Sequence, residues 1–469
     1  MSHTEVLIIG GGISGLSTAW WLAQQGIEVE VWEADERPGG KIRTHCEDGY
    51  MTEQAAGLLV NFRPEIDSLI KESGLENSLR QRDDHLNRYI VHQDKLTQVP
   101  MLLPALLTSP LWSLPAKLRL MAEPFIPRGT DESETVSGFV RRRLGQEVLD
   151  TAMDPFISGT LASDPDLAEA QSVLPRLTAL ESRYGSLTAG MLVNRVLKRR
   201  RANTADTFSF QGGMSELIDA LARTPGVAIR YGACATNIIN RGSQWQVEGV
   251  VNGTPNSTRV PQLVMSTPAD VSGKLLDPID SHLGELLCGI KYSPVAVLHM
   301  GLKSSTIKHP LDGTGFLVSK QNHLPVNGNL WMSSMFPERA PQGYTLLTSY
   351  LGGVHHPEQL HQSDEQLSST VLECLRPLLD IKGSAEYVRV QRHHQGLPLY
   401  HGRYRARIKA IDEQLSRLSG LHLNANYMHG VSVRERIFQG QKAAHKIAKA
   451  LVACGEESRE RLSLAAVRS

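Results

Sequence analysis

The chain has 469 residues, of which 41% are hydrophobic and 21% are charged, a composition typical of a globular protein. Lys plus Arg and Asp plus Glu both number 49, so the formal net charge is zero, which argues against a nucleic-acid partner. Because one hydrophobic core stops growing near roughly 250–300 residues, we expect two or more domains.

The first predicted element is the strand EVLIIG, which leads into a glycine-rich turn at 10–15 and then into a helix. The turn satisfies GxGxxG, in which the glycines permit a tight turn, close approach of a pyrophosphate and close packing of the helix. The helix N-terminus offers unpaired N–H groups to the anion. The strand IEVEVWE follows and ends at Glu33, which can accept hydrogen bonds from both ribose hydroxyls. The expected cofactor contacts are Gly10, Gly12, Ile13, Ser14, Gly15 and Glu33.

The continuation after Glu33 distinguishes FAD from NAD. A second glycine pair, Gly39-Gly40, is flanked by Arg37 and Lys41 and follows Ala34 closely. A tight loop with cations suits a longer and more anionic ligand. Because no second GxGxxG lies between a strand and a helix, we expect no nicotinamide domain. These features predict FAD, with electrons leaving to oxygen, a quinone or a carrier.

Residues 99–127 are rich in leucine but are interrupted by Pro100, Pro104, Pro110 and Pro115 and charged at Lys117 and Arg119. Proline inside a helix removes a hydrogen-bond donor, so short helices are expected here and no membrane span. Two interpretations are open. The segment is either an interdomain core or a surface in the bilayer interface, with Trp112 and the cations at headgroup level.

The remaining elements follow from periodicity. Residues 130–200 are predicted to be mostly helical, and strands are predicted across 226–270 and 290–350, including NLWMSSMF. A last helix is expected over about 431–451, followed by a loose tail.

The five cysteines are far apart, and their odd number argues against a disulfide framework. Thiols kept free indicate a reducing compartment, and a core strand this early predicts no cleavable targeting peptide. We therefore expect a cytoplasmic protein. No metal site is expected, because adjacent histidines such as His393 and His394 face opposite sides of a strand and lack carboxylate or thiolate neighbours.

The pattern E-A-x-x-R-x-G-G-K after the second strand resembles the flavin amine-oxidase superfamily. Segments 155–187, 208–222, 333–353 and 397–412 resemble protoporphyrinogen oxidases, so the resemblance runs in order along nearly the whole chain. It implies a mixed α/β (α+β) fold with a Rossmann-type FAD-binding domain, an inserted substrate domain and a helical, membrane-facing domain. The implied boundaries are 1–90, 205–290 and 405–455 for the FAD-binding domain, 91–204 for the helical domain, 291–404 for the substrate domain, and 456–469 for a tail.

The activity implied by this resemblance is oxidation of protoporphyrinogen IX to protoporphyrin IX. Non-covalently bound FAD would take hydride at N5, oxygen or a quinone would reoxidise it, and no dedicated catalytic side chain is needed. The alternatives are coproporphyrinogen III, another substrate of a flavin desaturase or amine oxidase, and a degenerate FAD- or porphyrin-binding paralogue. A peripheral place on the cytoplasmic face of the membrane and a homodimer also fit the resemblance.

The resemblance also implies the remaining site residues. A helix beginning at Gly430, Val431 and Ser432 would face the flavin pyrimidine, where its positive end stabilises reduced flavin. The other expected FAD contacts are Ala56, Gly57, Ala235 and Asn426.

For the substrate, Arg88 is expected to bind a propionate through its planar guanidinium. Phe316, Leu317 and Met332 are expected to flank the macrocycle. Two loops depart from the family's usual residues, with alanine at positions 55, 56 and 425.

Overall fold

The structure is a computed structural model that describes residues 4–61, 63–83, 85–100, 108–196 and 206–466. A five-stranded parallel sheet forms one layer. Its three central strands are buried along their whole length, as expected for a parallel sheet covered on both faces. In spatial order the strands are Val227–Arg230, Val29–Trp32, Val6–Ile9, Gln262–Met265 and Leu421–Leu423. Distant parts of the chain therefore build one sheet.

Two helices cover this sheet. The helix Ile13–Ala23 follows the first strand, and the C-terminal helix Val433–Ala466 packs across it. A Cβ at Gly440 would lie 2.5 Å from the hydroxyl of Ser17, so the two helices touch through their backbones. The prediction of a loose tail from 456 is wrong as far as Ala466. Residues 456–466 contain no glycine or proline, and their helix formers extend the preceding helix.

Smaller elements surround the parallel sheet. Three antiparallel units lie beside it: a hairpin Thr44–Glu47 with Tyr50–Glu53; a sheet of Leu59–Asn61, Asp206–Phe210 and Leu79–Gln81; and a sheet of Ala233–Asn240, Trp245–Val251 and Thr254–Val260. The α-helices of this region are Pro64–Glu72, Ser215–Ala222, Ala269–Leu276, Ser281–Cys288 and Tyr404–Leu415.

A seven-stranded mixed sheet forms the second layer. One face packs on the helix Asp364–Leu379 through Leu367, Val371, Leu375 and Leu379. In spatial order the strands are Tyr387–Pro398, Tyr292–Lys303, Tyr344–Gly352, Gly328–Trp331, Gly313–Leu317, Asn87–His92 and Lys95–Gln98.

Two predictions about this sheet need correction. The boundary at residue 90 falls inside Asn87–His92, which pairs with Gly313–Leu317 and so belongs to the second sheet. The strand predicted in NLWMSSMF ends at Trp331, and Met332–Met335 forms a short helix.

The third region is helical, as predicted for 130–200, over the described residues 130–196; residues 197–200 lie outside the described ranges. Its small core includes Phe139, Val140 and Ile157, all nearly inaccessible to solvent. The α-helices are Leu114–Met121, Val136–Arg143, Gln146–Val148, Asp154–Leu161, Ala170–Val173, Pro175–Tyr184 and Leu187–Val196. Within the described ranges, no helix combines the length and apolar character needed to cross a bilayer.

Trp112 does not lie where the interfacial interpretation expects it. Its ring is buried beside Ile90, Leu111 and Val148. The indole N–H donates to the hydroxyl of Thr151 at 2.8 Å, which satisfies the polar end of the side chain inside the protein.

A buried ion pair joins the helices of this region. Glu123 and Arg143 are both fully buried, with 3.2 Å between Oε1 and Nη1. The Glu123 carboxylate also accepts the backbone N–H groups of Leu187 and Thr188, so it caps the helix Leu187–Val196. Arg143 also donates to Glu181. Removing one member of such a network leaves a charge buried without compensation.

We expect Arg143→Met to lower the free energy of unfolding of the helical region by about 3–5 kcal/mol, because Glu123 and Glu181 lose their buried cation. Urea unfolding followed by tryptophan fluorescence measures the change. Arg141→Met is the matched control, since Arg141 is exposed on the same helix. Equal shifts for the two variants would contradict the stabilising role of the pair.

Candidate functional site

The glycine-rich turn lies at the carboxyl end of the first strand. Gly10 has φ of 103°, a backbone conformation that favours glycine. A Cβ at Gly15 would lie 2.0 Å from the carbonyl oxygen of Gly10, so the close approach of the helix requires glycine. A Cβ at Gly12 would meet nothing within 4 Å. The turn therefore presents bare backbone to an open space.

The helix that begins at Ile13 has no side chain capping its N-terminus. Its first N–H groups are therefore available to an anion at the positive end of the helix. Glu33 lies beside the turn and is almost fully buried. Its Oε2 accepts the N–H of Gly11 at 2.7 Å and its Oε1 accepts that of Asp35 at 3.0 Å. Each oxygen keeps acceptor capacity for a ribose hydroxyl.

The second glycine pair packs directly on the first turn. The N–H of Gly39 donates to the carbonyl of Gly11 at 2.8 Å. Arg37 stabilises this loop by donating hydrogen bonds to the carbonyls of Pro38, Gly40 and Ile42 at 3.0, 2.8 and 3.3 Å. Its observed role is thus to hold the loop's shape.

Lys41 joins the loop to the seven-stranded sheet. Its Nζ donates to the carbonyls of Gln395 and Gly396 and lies 5.7 Å from the centre of the Tyr292 ring. Burial lowers the pKa of Lys41 to about 8. The ammonium therefore connects the two layers of the molecule at neutral pH and begins to lose its charge in mildly alkaline solution.

The C-terminal segment returns to the same turn. The side-chain amide of Asn424 donates to the carbonyl of Ser14 at 3.1 Å. Buried Arg436 holds the following loop by donating to the carbonyls of Ala425 and Met428. The helix begins at Val433, slightly later than predicted, and the hydroxyl of Ser432 accepts the N–H of Glu435 at 3.3 Å as an N-cap.

These loops line one continuous cavity of about 3600 Å³ that extends to the second sheet and the helical region. Of the predicted cofactor residues, Gly15, Arg37 and Gly57 do not line this cavity. The others line it: Gly10, Gly12, Ile13, Ser14, Glu33, Ala34, Gly39, Gly40, Lys41, Ala56, Ala235, Asn426, Gly430, Val431 and Ser432. The uncapped helix N-terminus, the acid at the strand end and the size of the cavity fit a flavin dinucleotide.

The opposite wall comes from the seven-stranded sheet. Leu317, Gly328, Tyr350 and Val297 are successive cross-strand partners, so their side chains share one face, and all four line the cavity. Sequence analysis missed Tyr350. The sequence signal that could have identified Tyr350 is the alternation within YTLLTSYLGG. This alternation assigns residues to the two faces of a strand but does not indicate which face lines the cavity. Burial raises the pKa of Tyr350 to about 12, so its hydroxyl stays protonated.

The four predicted substrate residues are not brought together. Only Leu317 has its side chain on the cavity-facing side. The Phe316 ring borders the cavity but packs into the core beneath the helix Asp364–Leu379. Met332 lies against Gly57 in a separate small pocket. Arg88 is exposed on Asn87–His92 and does not line the described cavity, so its contact with a carboxylate stays a prediction.

The described ranges contain no group of three or more His, Cys, Asp or Glu side chains that could hold a metal ion.

Comparison with known proteins also indicates a flavoprotein, with matches that extend along nearly the whole chain. The model of the family of flavin-containing amine oxidoreductases matches residues 13–448. Protoporphyrinogen oxidase 2 of Arabidopsis thaliana is 29% identical, over 99% of this chain and 97% of that protein. Coproporphyrinogen III oxidase of Bacillus subtilis is 28% identical, over 94% of this chain and 97% of that protein.

The fold has a solved counterpart. A protein from Exiguobacterium sp. 255-15, provisionally described as a protoporphyrinogen oxidase, superposes with a TM-score of 0.79 at 23% identity. The match covers 95% of this chain and 99% of that one. A putrescine oxidase structure matches with a TM-score of 0.69 at 15% identity, over 95% and 99% of the two chains.

We expect Glu33→Gln to weaken FAD binding roughly 5- to 30-fold, about 1–2 kcal/mol, because an amide accepts weaker hydrogen bonds from ribose hydroxyls than a carboxylate does. Titration of apoprotein with FAD, followed by flavin fluorescence, measures the affinity. Glu36→Gln is the control, since Glu36 is exposed three residues away. Unchanged affinity in Glu33→Gln would rule out the ribose contact.

Proposed function

The chain belongs to the flavin-containing amine oxidoreductases, and on this premise we propose that it oxidises a porphyrinogen to the corresponding porphyrin. It is an FAD-dependent oxidase. The observation that carries the proposal is the single cavity, which joins the dinucleotide-binding turn to the wide face of a second sheet. Relatives that match over nearly their whole length are named for oxidation of protoporphyrinogen or coproporphyrinogen.

The bound FAD supplies a two-electron acceptor. The residues of the chain must hold a flat, largely apolar substrate against it. Leu317, Tyr350 and Val297 offer a continuous face of the right character, formed by neighbouring strands of one rigid sheet. Such a face suits a tetrapyrrole better than it suits a small, charged amine.

Carboxylates on the substrate would need cations. Arg63, Arg176 and Arg434 all line the cavity. Burial lowers the pKa of Arg434; the Glu435 carboxylate opposes this shift, and the charges of Arg176 and Arg63 add to it. Glu435 compensates part of this charge through a 2.9 Å contact with Arg63. Guanidinium groups on the cavity wall favour an anionic group such as a propionate.

We propose protoporphyrinogen IX as the substrate, with oxygen or a quinone reoxidising the flavin. Coproporphyrinogen III is the second candidate, because the relatives named for that substrate are 28–29% identical, as are those named for protoporphyrinogen. The two porphyrinogens differ in their number of propionates, so the arginines on the cavity wall are the residues expected to discriminate between them.

Purified protein should form porphyrin from protoporphyrinogen IX in air, with kcat/KM at least tenfold higher than for coproporphyrinogen III. Porphyrin fluorescence, corrected for oxidation without enzyme, measures both rates. The FAD should remain soluble after acid precipitation, as expected for non-covalent binding. A higher kcat/KM for coproporphyrinogen III would reassign the substrate, and no rate above background with either porphyrinogen would reject the function.

A membrane contact is proposed for the helical region. Leu114, Leu118 and Met121 lie on one face of their helix, and Phe125 follows it; their exposed fractions are 70%, 58%, 65% and 86%. Met191 and Leu192 on the helix Leu187–Val196 add further exposed apolar surface. An apolar surface without a spanning helix suits peripheral binding at the cytoplasmic leaflet, although a second copy of the chain is the other candidate occupant.

Replacing Leu118 and Phe125 together by glutamate should lower the vesicle-bound fraction at least tenfold, because each new charge must enter the acyl boundary. Co-sedimentation with vesicles containing anionic phospholipid measures it. Leu167→Glu is the control, since Leu167 is exposed in a loop outside this surface. If the wild type does not bind vesicles and is a dimer, and the double variant is a monomer, a second copy of the chain covers the surface.

A further inference from the structure

His393 is a titratable side chain in the cavity to which neither the sequence motifs nor the cofactor assign a role. It lies on the strand Tyr387–Pro398, paired with Val295, and both residues line the cavity. His394 is exposed, because adjacent strand residues face opposite sides. His393 therefore shares the cavity-facing side of the sheet with the row that contains Val297 and Tyr350.

One hydrogen bond fixes the proton on this ring. The Nε2 atom lies 2.8 Å from the backbone carbonyl oxygen of Gln54. A carbonyl oxygen only accepts, so Nε2 carries the hydrogen and donates it. In the neutral ring, Nδ1 is then an acceptor. Gln54 directly precedes Ala55 and Ala56, which line the cavity, so the imidazole lies where the cofactor loops meet the second sheet.

Burial is the main influence on the protonation of His393. It lowers the pKa of the ring below the usual 6.5; the hydrogen bond to Gln54 opposes this shift, and the positive charge of Lys41 adds to it. Tyr292 lies beneath Lys41 on the adjacent strand. Glu53 precedes Gln54, but its carboxylate pairs with Arg339 at 2.7 Å. Arg389, on the same face of the strand as His393, pairs with Glu47 at 3.0 Å.

We propose that His393 is a catalytic proton acceptor, whose Nδ1 takes the pyrrole N–H proton of the substrate. The inference rests on the proposed function. In each two-electron step the meso carbon gives up hydride, the pyrrole nitrogen loses a proton, and a new double bond extends the conjugated system. Bound FAD would supply the acceptor for the hydride, with oxygen or a quinone as the final oxidant. The imidazolium of His393 then releases its proton to water in the cavity. This role departs from the expectation that no dedicated catalytic side chain is needed.

The test compares His393→Gln and His393→Asn with wild type on the porphyrinogen that the wild type oxidises. Glutamine can keep the donor to Gln54 but provides no base that titrates near neutrality. We expect kcat to fall at least tenfold with KM within threefold, and the acidic limb of the pH profile, below about 6.5, to disappear. In the wild type kcat should fall at low pH, because protonated His393 cannot accept a proton. His394→Gln should behave as wild type.

Further readouts separate a base from a structural residue. FAD content and thermal midpoint should be unchanged in at least one of the two variants, and added imidazole should restore part of its rate. Nitrogen NMR of the wild-type holoenzyme should show a neutral ring with hydrogen on Nε2 at pH 7. Wild-type kcat together with an intact acidic limb in both variants, or hydrogen on Nδ1, would overturn the assignment. A wild type inactive on every porphyrinogen would reject the proposed function, and a proton on Nε2 in that same protein would still support the site geometry.

Discussion

A close backbone contact sets the geometry of this molecule. With 2.0 Å between the carbonyl oxygen of Gly10 and the position of a Cβ at Gly15, only glycine lets the first helix start so close to the first strand. That approach leaves the helix N-terminus uncapped and turned towards the cavity. Three later segments then build on the turn: the Gly39-Gly40 loop bonds to Gly11, the Asn424 amide bonds to Ser14, and Gly440 packs on Ser17.

The second sheet is held against this cofactor site by polar contacts that lie at the edge of the cavity. Lys41 donates to two carbonyls of the strand Tyr387–Pro398, and His393 on that strand donates back to Gln54. Close by, buried Glu53 pairs with Arg339, which is also fully buried. Because Glu53 and Arg339 compensate each other's buried charge, their contact stabilises the second sheet against the cofactor loops. A planar substrate and the flavin would therefore meet between preorganised walls, and the groups that fix the spacing include the titratable His393 and Lys41.

Sequence reasoning recovered the parts of this architecture that depend on local rules. The strand, turn and helix at the N-terminus, the acid at the end of the second strand and the helical character of 130–200 follow from glycine positions and periodicity. Sequence reasoning could not predict which side chains face the cavity when both faces of a strand are buried. Phe316 and Leu317 are adjacent and apolar, yet one ring enters the core and the other side chain meets the cavity, and only tertiary packing decides which. The Glu53–Arg339 pair spans 286 positions in the sequence and had no local signal.

The proposed oxidation requires the porphyrinogen to give its electrons directly to the flavin in this cavity. Anaerobic mixing of oxidised holoenzyme with a porphyrinogen, followed by flavin absorbance and porphyrin fluorescence together, tests this transfer. Oxidised-flavin absorbance should disappear at a rate no slower than kcat, and porphyrin should build up only when an electron acceptor is admitted. Flavin that stays oxidised in the presence of porphyrinogen would rule out direct transfer.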